Sequence, residues 1–490
     1  MGDAAASVGE GFADNYPVID HPIPRNKVAD FFAKDFELPP YRPVFQKLAR
    51  EQKPEPPAAA VALGDAAGVV AALDSSTWIR RPWRASAAGA LGDIGGAQLG
   101  GIMVEATKAK PLPRDYSAIE VPIPVIATDP NAGVTIGIMP VSVFREGQRI
   151  TNIFAPQITY NEIQGAGALF RMRRFFTTDS GLSIDAGSTT NGEHDYDVIY
   201  NQNHFGPIDL FLFRGRLRYI TELSDRFFGL GSGSSPENES NYTFHRAEGT
   251  MGFGAQLPQF PLRLVFDELL STNSVGPGHV KGVQSTTVEF PQVRGVHDRV
   301  DLLSHRVTLT LDTRDQLRAT TNGFLGEFYY EIGDATLLSD VSFQKVGFSF
   351  SGVVSYLDNR LATAGRVGAR WVSGKNVPFY ELTSVGGRTT LRGYPEGRFV
   401  GKNGIVAGIE ERWNVVSGKL KDYDMILQVA GFGEMGQVFG GHDQISFEAM
   451  KFSTGGSVRL VIPASDIVVS LDAGVSKEGE QTFLTLDYPF

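Results

Sequence analysis

Few residues in this 490-residue chain are arranged for bond-making chemistry. The eight histidines are scattered, and no HExxH, GxSxG or P-loop pattern occurs. There is no cysteine, which removes thiolate nucleophiles, thiolate metal sites and disulfides. Ser304 and His305 are adjacent, so on a strand their side chains leave by opposite faces and cannot share a proton. Glu410 and Glu411 alternate in the same way. These observations predict no enzyme, no metal site and no cofactor. What the chain does offer is arginine. The stretch GGRTTLRGYPEGRF, residues 386–399, holds three arginines, four glycines and a proline. Arg214, Arg216 and Arg218 form a basic ladder at a spacing of two. A guanidinium fork binds a carboxylate through paired hydrogen bonds, so both sets call for acids or water opposite them.

The elements that must position these arginines have a period of two from about Val121 onward. Phe211, Phe213, Leu217 and Tyr219 share one face against the ladder. Val307, Leu309 and Leu311 oppose Arg306, Thr308, Thr310 and Asp312. Val346, Phe348, Phe350, Val354 and Tyr356 line one long strand, and Val469, Leu471, Ala473 and Val475 oppose Ser470, Asp472, Gly474 and Ser476. Three successive arginines cannot face lipid, where each costs about 2–4 kcal/mol at the midplane. Strands this long, apolar on one face and polar on the other, predict an all-β fold: a transmembrane antiparallel β-barrel with a polar lumen. No run of about eighteen apolar residues marks a transmembrane helix. A net charge of −10 argues against a nucleic-acid partner.

Five strands follow the arginine-rich loop, near 405–416, 425–439, 447–462, 467–476 and 481–490. Counting back from a periplasmic C-terminus, five crossings place that loop outside the cell, free to fold back into the lumen. Eleven to thirteen strands can be drawn upstream, giving sixteen as the expected total and leaving eighteen open. Residues 1–115 differ: they are rich in Ala and Pro, with short helices expected near 28–36 and 61–73. They read as an irregular, partly helical extension, periplasmic or plug-like, ahead of a barrel over 116–490. The opening MGDAAASVGEGF lacks the basic and apolar regions of a signal peptide.

Several short motifs then coincide. Leu391-Arg392-Gly393-Tyr394 resembles the (V/I)RG(F/Y) motif of the outer-membrane protein 85 superfamily, the BamA/TamA-like and bacterial surface antigen barrels. Asp312-Thr313-Arg314-Asp315 with Thr321-Asn322-Gly323 resembles its strand-turn signature, without the usual proline. Gly408-Ile409-Glu410-Glu411-Arg412 resembles its G-x-E-x-R strand. Phe432-Gly433-Glu434-Met435-Gly436 resembles its F-x-D-x-G strand, with glutamate for aspartate. Gly456 to Arg459, Pro463, Asp472 and a terminal Phe490 resemble its ending. Phe228-Gly229-Leu230-Gly231 and Asp129-Pro130-Asn131-Ala132-Gly133 resemble features of members lacking N-terminal domains.

The resemblance implies that the loop enters the lumen and that Arg392 pairs with Glu434, with Glu410 as second acid. Gly393 would let the backbone pass the wall, and Tyr394 would wedge the tip. It also implies a bacterial outer-membrane location. The implied role is translocation or insertion of polypeptides or lipids, with outer-membrane lipid and lipopolysaccharide around the barrel. A porin-like conduit, or a scaffold holding a periplasmic or lumen-plugging protein partner, are the alternatives. Nothing in residues 1–115 resembles a POTRA domain.

Overall fold

A computed structural model describes residues 116–488, apart from positions 130, 147–148, 178, 206–209, 258–259, 317–318, 337, 421–422, 441–444, 464–466 and 486–487. The N-terminal extension expected over 1–115 and the terminal Phe490 lie outside the described residues.

The first half of the sheet comprises β1 (Tyr116–Asp129), β2 (Gly133–Glu146), β3 (Arg149–Phe154), β4 (Gln157–Asn161), β5 (Gly165–Phe175), β6 (Ser180–Thr189), β7 (His194–Phe205), β8 (Phe211–Phe227), β9 (Ser240–Gln256) and β10 (Leu262–Pro277). After the two-residue β11 (Gln284–Ser285) come β12 (Val300–Asp312), β13 (Gly323–Gly333), β14 (Phe343–Tyr356) and β15 (Leu361–Gly374). A small hairpin of β16 (Thr383–Val385) and β17 (Phe399–Gly401) interrupts the series. It resumes with β18 (Asn403–Leu420), β19 (Tyr423–Phe439), β20 (Lys451–Ile462), β21 (Ile467–Ser476) and β22 (Gly479–Thr485).

Each long strand pairs with the next, β10 pairing directly with β12 and β15 with β18. β3 and β4 are two halves of one pass, since both pair with β5. The break falls at Pro156, which has no N–H to give the ladder. Counted this way the described residues make eighteen passes, five of them after the β16–β17 hairpin. The expected total of sixteen is thus two passes short, and the structure gives eighteen, the alternative left open by the sequence, the prolines of β1 and Pro156 having blurred the alternation there.

The side-chain alternation is that of a sheet inside out. Leu217 and Tyr219 of β8, Met251 and Phe253 of β9, Phe348 and Phe350 of β14 and Leu471 and Val475 of β21 are exposed. On the other face Asp267, Glu331, Lys345, Glu410, Arg412 and Asp472 are buried. A water-soluble sheet packs the opposite way, and an apolar belt of this extent belongs against hydrocarbon. No helix among the described residues is long and apolar enough to cross a membrane.

The long connections lie on one rim, at 228–239, 278–299 and 375–402, and short turns close the other. Phe227, Tyr242, Val296 and Phe379 form an apolar core beneath the long-loop rim, with Phe227 and Phe379 rings 4.7 Å apart. The curvature of the sheet is visible in what the 386–398 tip touches. Asn131, in the turn between β1 and β2, donates from Nδ2 to the Glu396 carbonyl. Arg398 binds Glu478, in the turn between β21 and β22. The same short loop therefore contacts the first and the last hairpin of the sheet.

Candidate functional site

The site is assembled by the period-two spacing of four consecutive strands. In β18, Gly408, Glu410 and Arg412 point inward together. In β19, Phe432, Glu434 and Gly436 do so. β20 supplies Ser453, Ser457 and Arg459, and β21 supplies Ser470, Asp472 and Gly474. Arg392 descends onto this wall from the tip of the β16–β17 hairpin and is fully buried.

Its backbone N–H donates to Glu434 Oε2 at 2.7 Å and its Nε to Glu434 Oε1 at 2.9 Å. Its Nη1 donates to Glu410 Oε2 at 2.8 Å and to Asp472 Oδ1 at 3.0 Å. The guanidinium carbon stands 3.4 Å from the centroid of the Phe432 ring, which forms a floor beneath it. Arg392 therefore binds three acids, where the resemblance implied two.

Glu410 is the hub. It accepts from Arg392, from Arg412 Nε at 2.7 Å, and from Arg459 Nη1 and Nη2 at 2.5 and 2.9 Å. Asp472 is held by Arg392, Arg459, Ser457 and Ser470. Glu434 also accepts from Ser453 Oγ and from Arg366 Nη2 of β15. Arg366 in turn binds the carbonyls of Thr389 and Thr390, so it fastens the loop backbone as well as the acid. Four arginines and three carboxylates thus share one buried cluster. In such a place charges persist only when paired and hydrogen-bonded. The glutamate at 434, longer than the usual aspartate, reaches a backbone N–H and two guanidinium groups.

Glycine makes the close approach possible. A Cβ on Gly393 would stand 2.7 Å from the Val475 carbonyl, and one on Gly474 would stand 2.3 Å from the Arg392 carbonyl oxygen. Gly436 similarly leaves room for Val385 of the hairpin. Tyr394 packs with Val385, Leu391, Phe399 and Val438, its ring edge-on to Phe399 at 5.2 Å. Burial pushes its phenol upward from the ordinary tyrosine value.

The upper part of the loop has its own anchors. Arg398 Nε and Nη2 donate to Glu478, while Nη1 donates to the Ser234 hydroxyl and Nη2 also to the Ser234 carbonyl. Val400 bridges to Leu230, placing the Phe228–Gly231 motif against the hairpin. Near the base, Glu381 accepts from Lys345 and Arg246. Burial alone would raise its carboxyl, but Lys345 and then Arg246 outweigh that and hold it at about 2.

The other sequence-predicted residues fall elsewhere. Arg214 is bidentate to Asp267 across β9, where Gly252 leaves the space between them. Arg216 binds Asp197, and Arg218 stands in register with Asp197 and Glu248. The ladder is thus faced by acids on neighbouring strands. Asp312 is chelated by Arg314 of its own turn, while Asp315 accepts from the Thr321 N–H and hydroxyl. Gly323 takes φ +113° beside the Thr313 carbonyl. These residues tie the short turn between β12 and β13, and Asp312, Arg314, Asp315 and Gly323 make no contact with Arg392. Ser304 and His305 do part to opposite faces, one binding Glu331 and the other Glu268.

Sequence reasoning gave no role to Arg366, Arg398, Gly474 or Glu478, and named Arg412 only as the arginine of the G-x-E-x-R strand. Arg412 and Gly474 could have been found from their parity with Glu410 and Asp472. Arg398 and Glu478 carry no such signal, being 80 positions apart.

Comparison with curated proteins finds no match. Among solved structures the chain is similar to BamA from Haemophilus ducreyi lacking POTRA domains 1–3, at 15% identity and TM-score 0.48 over 75% of each chain. It is similar to CdiB from Escherichia coli at 12% identity and TM-score 0.45, covering 77% of this chain and 63% of that one. For CdiB from Acinetobacter baumannii the values are 10% and 0.40, covering 77% and 60%. The chain spans about three-fifths of either CdiB. The sequence profile of the Omp85 superfamily domain matches residues 164–482, most of the chain. With the inside-out sheet and the inserted loop already described, the protein belongs to the Omp85 superfamily as an outer-membrane-type antiparallel β-barrel.

Proposed function

We propose that this barrel translocates or inserts polypeptides or lipids at the bacterial outer membrane, and that the 386–398 loop is an internal latch on that path. The long-loop rim faces outside the cell and the short turns face the periplasm. The observation that supports this reading most directly is Arg392, fully buried among Glu434, Glu410 and Asp472 on a loop that enters from the rim. Through Arg392 the loop holds β18, β19 and β21 at once, which suits a path that is closed at rest and released for a substrate.

The test is an assisted-insertion assay in phospholipid vesicles with a model β-barrel substrate, paired with conductance in planar bilayers. The expected result is faster substrate insertion with the wild-type protein, low resting conductance, and both altered by Arg392→Ala. A steady open pore with no acceleration of insertion would instead support the porin-like reading.

A further inference from the structure

Charged side chains are scarce on the outward face of the described strands, and two of them sit together. Glu268 of β10 and His305 of β12 are register partners. They share outward parity with the exposed Leu264, Phe266 and Leu270 on one strand and Val307, Leu309 and Leu311 on the other. His305 Nδ1 and Glu268 Oε2 are 2.6 Å apart, and the two side chains remain 28% and 42% exposed. In register it is flanked by Leu270–Leu303 and then Thr272–Asp301 on the long-loop side, and by Phe266–Val307, Leu264–Leu309 and Leu262–Leu311 on the other, so it sits toward the long-loop end of the apolar belt.

An ionisable pair at that end of the belt borders the hydrocarbon, where each unmet hydrogen-bonding atom is costly. The contrast with Glu411, also outward, is informative. Its two oxygens are taken by the Tyr356 hydroxyl and by Thr363 Oγ1. Glu268 Oε1 and His305 Nε2 have no hydrogen bond from any described residue. One copy thus presents, side by side and at one depth, an acceptor and the second ring nitrogen of the imidazole. In its imidazolium form, the counter-ion of Glu268, that nitrogen is a donor.

A two-fold axis along the membrane normal sets the left side of one barrel face against the right side of the other. Rotated so, the acceptor of each copy meets the donor of the other, and the four charged groups close into a neutral ring. Self-complementarity of this kind is what an isologous contact requires. We propose that the outward face of β10 and β12 is a two-fold interface between copies of this chain within the membrane. His305 Nε2–H of each copy donates to the partner subunit's Glu268. The inference rests on the barrel and its orientation of side chains, not on the translocation role.

Because the chain has no cysteine, a single one can report the contact. Leu270→Cys lies beside the pair, and Leu471→Cys, also exposed, lies on β21 away from it. In phosphatidylcholine vesicles a short bis-maleimide should yield a double-mass band with Leu270→Cys, exceeding Leu471→Cys at least about tenfold. Adding Glu268→Leu and His305→Leu should remove that band while the heat-modifiable folded form persists. Equal crosslinking at the two sites, or crosslinking unchanged by the leucine pair, overturns the proposal. So does a monomeric wild-type mass in lipid nanodiscs, which needs no variant to fold.

Discussion

Gly474 lies beneath the carbonyl of Arg392, so close that a Cβ on it would stand 2.3 Å from the oxygen. The tip of the loop and the backbone of β21 are therefore in contact with no side chain between them. Gly474→Ala should push the tip off the wall without removing any charge. Overpacking of this kind costs about 1–3 kcal/mol. The expected outcome is a lower unfolding temperature in detergent and raised bilayer conductance. Unchanged values on both counts would mean that the loop gives way freely.

Glu410 accepts from three arginines, Glu434 from two arginine side chains and a backbone N–H. Replacing either by the neutral amide leaves buried guanidinium groups without a counter-charge, which costs about 3–5 kcal/mol for a fully buried pair. Glu410→Gln should therefore lower the heat-modification temperature more than Glu434→Gln. The reverse order would place the weight of the cluster on Glu434.

Arg392→Ala should destabilise the fold by removing the charge shared by Glu434, Glu410 and Asp472. A charge swap of Arg392 and Glu434 should not restore it, since Arg366 would then face an arginine at 434. Arg392→Lys should recover part of the stability and little of the geometry, because an ammonium cannot reproduce the fork. Melting curves of the three variants decide this.

The Glu381 carboxyl, held at about 2 against an ordinary 4.5, ties the base of the loop to Lys345 and Arg246. A depressed folded-state value means its contribution is complete above about 4.5 and is lost as pH falls toward 2. The difference in melting temperature between wild type and Glu381→Gln should be constant from pH 7 to about 5 and shrink below 4.5. A difference that persists undiminished to pH 2 would remove the ion pair as its cause.

Gly323 sits at φ +113°, where an added Cβ would stand 2.4 Å from the Thr313 carbonyl oxygen. Gly323→Ala should destabilise the β12–β13 turn by about 1–3 kcal/mol while leaving conductance unchanged, since the turn is remote from Arg392. A conductance change would connect that turn to the latch.

The strands were legible in the sequence because a sheet in lipid declares its two faces in single residues, as in Leu217 against Arg216 and Arg218. The number of passes was less so. β1 carries Pro122 and Pro124, and Pro156 divides one pass into β3 and β4, so neither reads as a clean alternation. The pairing of Arg392 with Glu434 came from a motif, not from spacing, since a loop tip has no period to place it. Asp472 was named as part of a strand ending, but its bond to Arg392 depends on how far the loop descends. Gly474 looked like one small residue in a polar row. Its role appears only once another backbone lies on it.

The order in which these contacts can form is written in their sequence separations. Arg392 meets Glu410, Glu434 and Asp472 at separations of 18, 42 and 80 residues. The tie from Glu396 back to Asn131 spans 265. Loop-closure entropy grows with separation, so contacts among near neighbours in the chain come first. The C-terminal strands and their arginine tip can thus assemble as a local nucleus, and the bond to Asn131 is the late event that records the arrival of the first hairpin.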